Sequence, residues 1–207
     1  MDVYASVNFL WIVVMEPTFD CLNDENRTDI YSPSHAKYRG TKFMVKKIMH
    51  KIDNTVIRSM RDNETGNTFT VGEVVINNIN PIIYYKSVSV AYCVGLGRRE
   101  ARYTGQINSW RDNGEPYAEF QLVKGTIEGI CRYYIDDTVC SEVEFKNGMA
   151  DGFCIQKYKT GETCSTGYFM KGEKFGDWNT YDKKGNVVKI EKYHDGHIIN
   201  TLVCVNL

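Results

Sequence analysis

Residues able to do chemistry are few in this chain and widely spaced. His194-Asp195-Gly196-His197 is its one close histidine pair, and two imidazoles at this spacing could hold a divalent cation if further ligands arrived from elsewhere. The pair straddles a hairpin-turn signal, so we read both histidines as turn flanks and expect no metal. Glu142 and Glu144, with Glu119 and Glu191 at related positions, could serve as general acid and base if burial drove their pKa values apart. On an alternating strand, however, Glu142 and Glu144 share a face with Lys146, the pattern of a solvated outer surface. Gly95-Leu96-Gly97-Arg98-Arg99 lacks the third glycine and the lysine context of a phosphate-binding loop and reads as a turn after a strand. His35 and His50 lie far apart, near no nucleophile motif, and no Ser-His-Asp arrangement can be assembled. No cofactor is implied.

The elements that position these residues follow from composition and periodicity. The chain has 207 residues, a formal net charge of -1, 43% hydrophobic residues and 13% aromatics, with 14 tyrosines. That is enough apolar surface for a folded core, and no global charge points to nucleic acid. The longest apolar run, Val7 to Met15, is about half of the roughly 20 residues a membrane-spanning helix needs. Asp2 before it and Glu16-Pro17 after it do not fit a secretory signal, so it reads as a buried strand or short helix. The 7 cysteines include no Cys-x-x-Cys pair and read as free thiols packed as small core residues in a reducing, intracellular compartment.

The C-terminal half repeats itself. Lys124-Gly125, Asn147-Gly148, Lys171-Gly172 and Asp195-Gly196 recur at intervals of 23, 24 and 24 residues. A second glycine follows each of the first three pairs, at Gly129, Gly152 and Gly176. An aromatic comes next in each copy, at Tyr134, Tyr158 and Tyr181, with Trp110 in the same place after Gly105. Leu122, Phe145, Phe169 and Tyr193 each precede a turn glycine by three residues, and Cys131 and Cys140 match Cys154 and Cys164. Asn-Gly and Asp-Gly pairs signal two-residue type I′ turns, and Val139–Lys146 and Asn186–Tyr193 alternate apolar and polar residues as half-buried strands do. A lone hairpin is marginal in water, so copies must cover one another's aromatic side chains. The expectation is mainly β: an elongated antiparallel sheet of stacked hairpins over residues 102–207.

These residues resemble MORN repeats, in the variant form whose turn pair is followed by another glycine and an aromatic. The resemblance is carried by FKNGMADGF (Phe145–Phe153) and YFMKGEKFGDWNTYDKKG (Tyr168–Gly185) and spans about half the chain. Copy one departs from it with Val123-Lys124-Gly125, and copy two has Asp136-Asp137 where its neighbours have glycine. The isoleucine-, asparagine- and tyrosine-rich style resembles the MORN-repeat proteins of marseillevirus-like large DNA viruses of amoebae. The resemblance implies a non-enzymatic interaction or assembly module with a protein partner, structural viral proteins among the candidates. It would be a particle component or a host-directed effector, in the virion or the host cytoplasm.

The N-terminal half reads differently. Residues 1–40 form an apolar segment followed by a polar, turn-rich arm, and residues 41–101 a small α+β cap. Within the cap, Met44, Val45, Ile48, Met49 and Ile52 sit at helical spacing, with Lys42, Lys46, Lys47, His50 and Lys51 opposite, predicting a basic amphipathic helix. From Thr55 to Gly97 the pattern predicts strands through PIIYYKSVSVAYCVG. Candidate partner contacts are Lys42, Lys46, Lys47, Tyr84, Tyr85 and Tyr117, with a homo-oligomer through open sheet edges as a further expectation. The competing readings are a small enzyme at the cap–repeat boundary using His50, Asp62, Arg98, Arg99 or Glu100, and a peripheral membrane contact through the basic face. Binding of nucleic acid through Lys42–Lys51 would demand steep salt dependence and is not expected.

Overall fold

The computed structural model describes residues 1–96 and 103–204, and the chain divides into two compact units, Met1–Tyr103 with Asn108–Glu115 and Thr104–Ile107 with Pro116–Leu207. The first unit holds β1 (Val3–Val7), β2 (Trp11–Pro17), β3 (Lys37–Gly40), β4 (Lys42–His50), β5 (Val56–Ile57), β6 (Ser59–Arg61), β7 (Thr68–Thr70), β8 (Val74–Ile76), β9 (Ile82–Tyr85) and the short helix α1 (Val88–Cys93). Seven of these strands form one sheet, ordered β3-β9-β1-β2-β4-β5 with β8 also paired to β4, and β6 and β7 form a separate ribbon. The Val7–Met15 run doubles back on itself: it ends β1, turns at Asn8 and Phe9, both at positive φ, and continues as β2. This hairpin lies mid-sheet, and its Val3, Ala5, Val7, Val13 and Met15 join Phe43, Val45, Ile48 and Tyr84 in the core.

The predicted basic helix over Lys42–Ile52 is instead β4. Its pairing with β2 shifts between Val14 and Met15, whose partners are Lys47 and Val45, so Lys46 is an extra residue in a β-bulge. The bulge changes the phase of burial: Phe43 and Val45 point inward before it, Ile48 and His50 after it. The three-residue step from Val45 to Ile48 imitates helical spacing in sequence, although the backbone is extended throughout. The second difference is the segment after Tyr85, expected as strand, which forms α1. Val90 and Ala91 are buried there, with Val94 packed beside them at the i, i+1, i+4 spacing of a helix face.

The polar arm is not a free linker. Thr18 donates its amide to the Lys42 carbonyl, Asn23 bridges to Gly40, and the Arg39 amide donates to Asp24 Oδ1 at 2.7 Å. Glu25 accepts a 2.5 Å hydrogen bond from the Tyr84 hydroxyl and pairs with Lys86 at 2.6 Å. A segment with few apolar residues is thus tied to β3 and β9 through polar contacts.

The chain leaves β4 at Lys51, whose side chain is buried to 2% exposure. Its Nζ donates to Ser6 Oγ at 2.8 Å and to the Val94 carbonyl at 2.7 Å, and it makes no ion pair among the described residues. Two acceptors and no carboxylate match the two donors of a neutral amine better than an ammonium. Burial accordingly lowers the Lys51 pKa to about 7. Across the window from about 7 toward the ordinary lysine value of 10.5, the unfolded chain holds a proton that the folded chain has released, so Lys51 makes stability rise with pH. Urea unfolding at several pH values checks this. The Lys51→Met protein is expected to lose that rise, and an unchanged slope in the variant would show that the amine titrates normally in the fold.

Candidate interaction surface

The second unit carries the repeats. The strands β10 (Gly105–Trp110), whose residues from Asn108 on belong to the first unit, β11 (Pro116–Val123), β12 (Thr126–Ile135), β13 (Thr138–Lys146), β14 (Met149–Lys157), β15 (Thr163–Met170), β16 (Glu173–Tyr181), β17 (Val187–His194) and β18 (His197–Val203) pair in sequence order into one 9-stranded antiparallel sheet. The four turn pairs lie along one end of this sheet, and in each both central residues have positive φ, as at Asn147 (51°) and Gly148 (78°). At the opposite end of the sheet, Asp136 and Asp137 make a two-residue turn with both φ positive, at 47° and 62°, where the later copies close with longer loops that carry positive φ at Gly161 and Gly185, so copy two departs in loop length as well as residue type. Gly129, Gly152 and Gly176 have a different task. Pairing shifts beside each of them, between Glu119 and Gln121, Val143 and Phe145, and Thr166 and Tyr168 on the partner strands, and all three glycines have positive φ. They mark recurrent bulges, and across the next strand they face Phe145, Phe169 and Tyr193.

One face of the sheet carries its core. Phe145, Phe169 and Tyr193 lie against Val143, Cys154 and Trp178, and Phe169 and Tyr193 meet Trp178 with ring centroids 5.1 and 6.2 Å apart. Lys174 places its ammonium 4.1 Å from the Trp178 ring centre, adding a cation–π contact. Trp178 is the residue the repeat reading missed. It stands 24 residues after Cys154, so an indole occupies the register that thiols occupy in the earlier copies. Gly167, 24 residues after Val143, makes room for it: a Cβ at Gly167 would come within 2.3 Å of the indole. The exchange of small for large and large for small was present in the sequence, as a tryptophan at a cysteine position beside a glycine at a valine position. The repeat tyrosines link neighbouring copies, since the Tyr158 hydroxyl donates to the Tyr181 carbonyl at 2.7 Å and the Tyr181 hydroxyl lies 3.0 Å from Thr166 Oγ1. Tyr134 is half-buried on β12. Trp110 belongs elsewhere: it packs with Tyr85, Val90 and Ala91 of the first unit and stacks on His35 at 4.9 Å.

The other face divides into a charged half and an apolar half. Arg132 bridges Glu119 at 2.8 Å and Glu142 at 3.1 Å, and Glu142 also pairs with Lys157 at 3.2 Å, making a ladder across four strands. Burial raises the Glu142 pKa more than any single contact lowers it, yet Lys157 and Arg132 together hold the carboxyl below its usual range. These glutamates are therefore charge partners. Toward the two-residue turns, Phe153, Tyr168 and Phe175 are direct cross-strand neighbours, with Phe153 and Tyr168 rings 5.3 Å apart. Met149 and Met170 flank the row on the same face, Ile130 stands beyond Glu144, and all six side chains are exposed, Phe153 to 42% and Tyr168 to 55%. Water-facing aromatics in register across three strands form a patch of the kind that marks an interaction surface.

The sequence-level contact residues divide. Tyr117 is exposed, whereas Tyr84 and Tyr85 are buried at 0% and 8% and cannot serve as a contact surface; burial pushes the Tyr85 hydroxyl up to about 12. Their strand, β9, runs between β3 and β1, which covers it on both sides. Lys42 is paired with Asp20 at 2.6 Å and Lys46 with Asp2 and Glu16 at 2.8 and 2.9 Å, leaving Lys47 as the third lysine on an exposed position. With the helix gone, its basic face goes too. Of the enzymatic alternative, His50 Nδ1 donates to the Asp53 carboxylate (2.9 Å), while Asp62 accepts from Thr65 and the Glu64 amide and lines a cleft of about 240 Å³ that His50 does not reach. Arg98, Arg99 and Glu100 lie outside the described residues. His194 and His197 face each other across the β17–β18 turn, and no three metal-ligating side chains converge among the described residues.

Inserting a side chain at Gly167 should displace the indole. Gly167→Val is expected to destabilise the protein by about 1–3 kcal/mol, the range for overpacking a core. Adding Trp178→Cys, which restores the valine and cysteine of the preceding copy, should recover part of the loss in thermal unfolding. Equal loss in the single and double variants would mean that the two positions are not coupled.

No protein-family model matches the chain, and no curated protein matches it.

Proposed function

We propose that the repeat sheet is a non-enzymatic interaction and assembly module of MORN-like type, which binds a protein partner through the face bearing Phe153, Tyr168 and Phe175. The carrying observation is the exposed apolar row, which crosses β14, β15 and β16 in register. Leaving such a row in water forgoes roughly 25 cal/mol for each Å² of apolar surface that a partner could cover. Aromatic side chains also supply large contact areas at small cost in rotamer entropy, which makes them the usual anchors of interfaces. The neighbouring ladder of Glu119, Arg132, Glu142 and Lys157 would form a polar rim whose charges are already paired, so a partner would meet no unmatched charge there. In our reading the partner is a structural protein of a viral particle or a host protein addressed by a viral effector, in keeping with the sequence resemblance.

The test is purification of the tagged protein from its native cell or particle, with mass spectrometry of co-purifying proteins. Recovery of one or two proteins in fixed ratio is expected. The Phe153→Lys, Tyr168→Lys double variant should weaken that recovery by about tenfold or more, on the order of 1.4 kcal/mol, with the circular dichroism spectrum and melting temperature nearly unchanged. Undiminished recovery with the double variant would place the interface elsewhere.

A further inference from the structure

The last strand of the repeat sheet, β18, has β17 on one side and no strand on the other among the described residues. All seven of its residues are exposed, including Ile198, Ile199, Leu202 and Val203. Its sequence, His197-Ile198-Ile199-Asn200-Thr201-Leu202-Val203, has no lysine, arginine, aspartate, glutamate or proline, the residues by which edge strands usually discourage further pairing. A bulge at Ile199 leaves Asn200–Val203 as the regular part of this edge.

Which backbone groups point outward follows from the pairing. The Cys204 amide donates to the Val188 carbonyl at 2.9 Å, so Cys204 is bonded inward toward β17. Alternate residues of a strand address opposite neighbours, so Leu202 and Asn200 also bond inward, while Thr201 and Val203 turn both amide and carbonyl outward. Two such edges related by a two-fold axis through Leu202 match each other. Thr201 of one copy would exchange two hydrogen bonds with Val203 of the other, and Val203 with Thr201, giving four bonds around a central pair of Leu202 side chains. Leu202 stands opposite Ile190 on β17. The same rotation therefore continues an apolar row: Ile190, Leu202, Leu202 of the second copy, Ile190 of the second copy. No charge lies on either β18, and the net charge of -1 per chain adds little repulsion.

We infer that this chain pairs with a second copy of itself, β18 against β18 antiparallel, joining two 9-stranded sheets into one continuous sheet. Antiparallel pairing of identical edges closes on itself, as a two-fold interface does. An open head-to-tail chain would need the unlike β10 edge instead. The inference builds on the assembly reading above and adds the partner at this edge; the aromatic row stays available for the other protein.

The experiment is the concentration dependence of the molar mass of the whole chain, by light scattering and sedimentation. A two-fold species at twice the 23.8 kDa of one chain is expected. Thr201→Pro removes one outward amide that β17 does not use and should shift the dimer–monomer midpoint at least tenfold, while Thr201→Val, which keeps the amide, should leave it in place. Leu202→Lys, at a side chain 57% exposed, brings two like charges to the axis and should shift the midpoint in the same direction without depending on how well proline fits. A monomer at every concentration overturns the inference, and so does a dimer indifferent to both Thr201→Pro and Leu202→Lys. The partner reading is separable: a monomer that still captures its protein partner removes only the self-pairing, and a dimer that captures none keeps the self-pairing and removes the partner reading.

Discussion

Among the described residues the repeat unit is one sheet with no second layer of its own, and that constraint governs the rest of its structure. Strands bury side chains against something, usually another sheet or a helix. Here the cover has to come from side chains lying across neighbouring strands. Phe145, Phe169 and Tyr193 do so from one position of each copy, and Trp178 does so over Gly167. The recurrent bulges at Gly129, Gly152 and Gly176 belong to the same solution, because each sits opposite the aromatic that must lean across it. What this arrangement cannot cover stays in water, which is why aromatics also stand exposed on the opposite face.

Polar groups fill the places where apolar cover runs out, and they do so in two ways. On the sheet surface, Arg132 and its glutamates hold one another on adjacent strands at positions accessible to water, where pairing contributes modestly and screening by salt is strong. In the first unit the arrangement is riskier. Lys51 is enclosed with only neutral acceptors, so its charge is opposed by burial, and Glu25 with Tyr84 and Lys86 anchors a loop whose own residues could not bury enough surface to hold it. The two units thus reach order by different balances, repetition in one and a packed core with buried polar anchors in the other.

Much of the repeat sheet is legible in the sequence alone. The turn pairs fell where regular spacing put them, because a type I′ turn needs positive φ at both central residues and few residue types accept it. Trp178 was harder, since its role depends on Gly167 across the strand pair and a linear comparison of copies treats each position alone. In the first unit the basic helix over Lys42–Ile52 was misread for a definite reason: one extra residue at Lys46 shifts an alternation of two into a step of three. Only Val45 and Ile48 belong to both faces; Phe43 and His50, not Met44 and Met49, complete the buried side of the strand.

The sequence by itself determined the antiparallel repeat, its turns and the residues able to cover it, since these depend on local backbone preference and on a period longer than any single element. Only the tertiary structure decided that Tyr84 and Tyr85 are enclosed, that Lys51 is a buried amine between Ser6 and Val94, and that Phe153, Tyr168 and Phe175 meet on the open face. Those outcomes depend on which strands become neighbours and in which register. A shift of one residue moves every side chain to the other face, and nothing local to a strand specifies that choice.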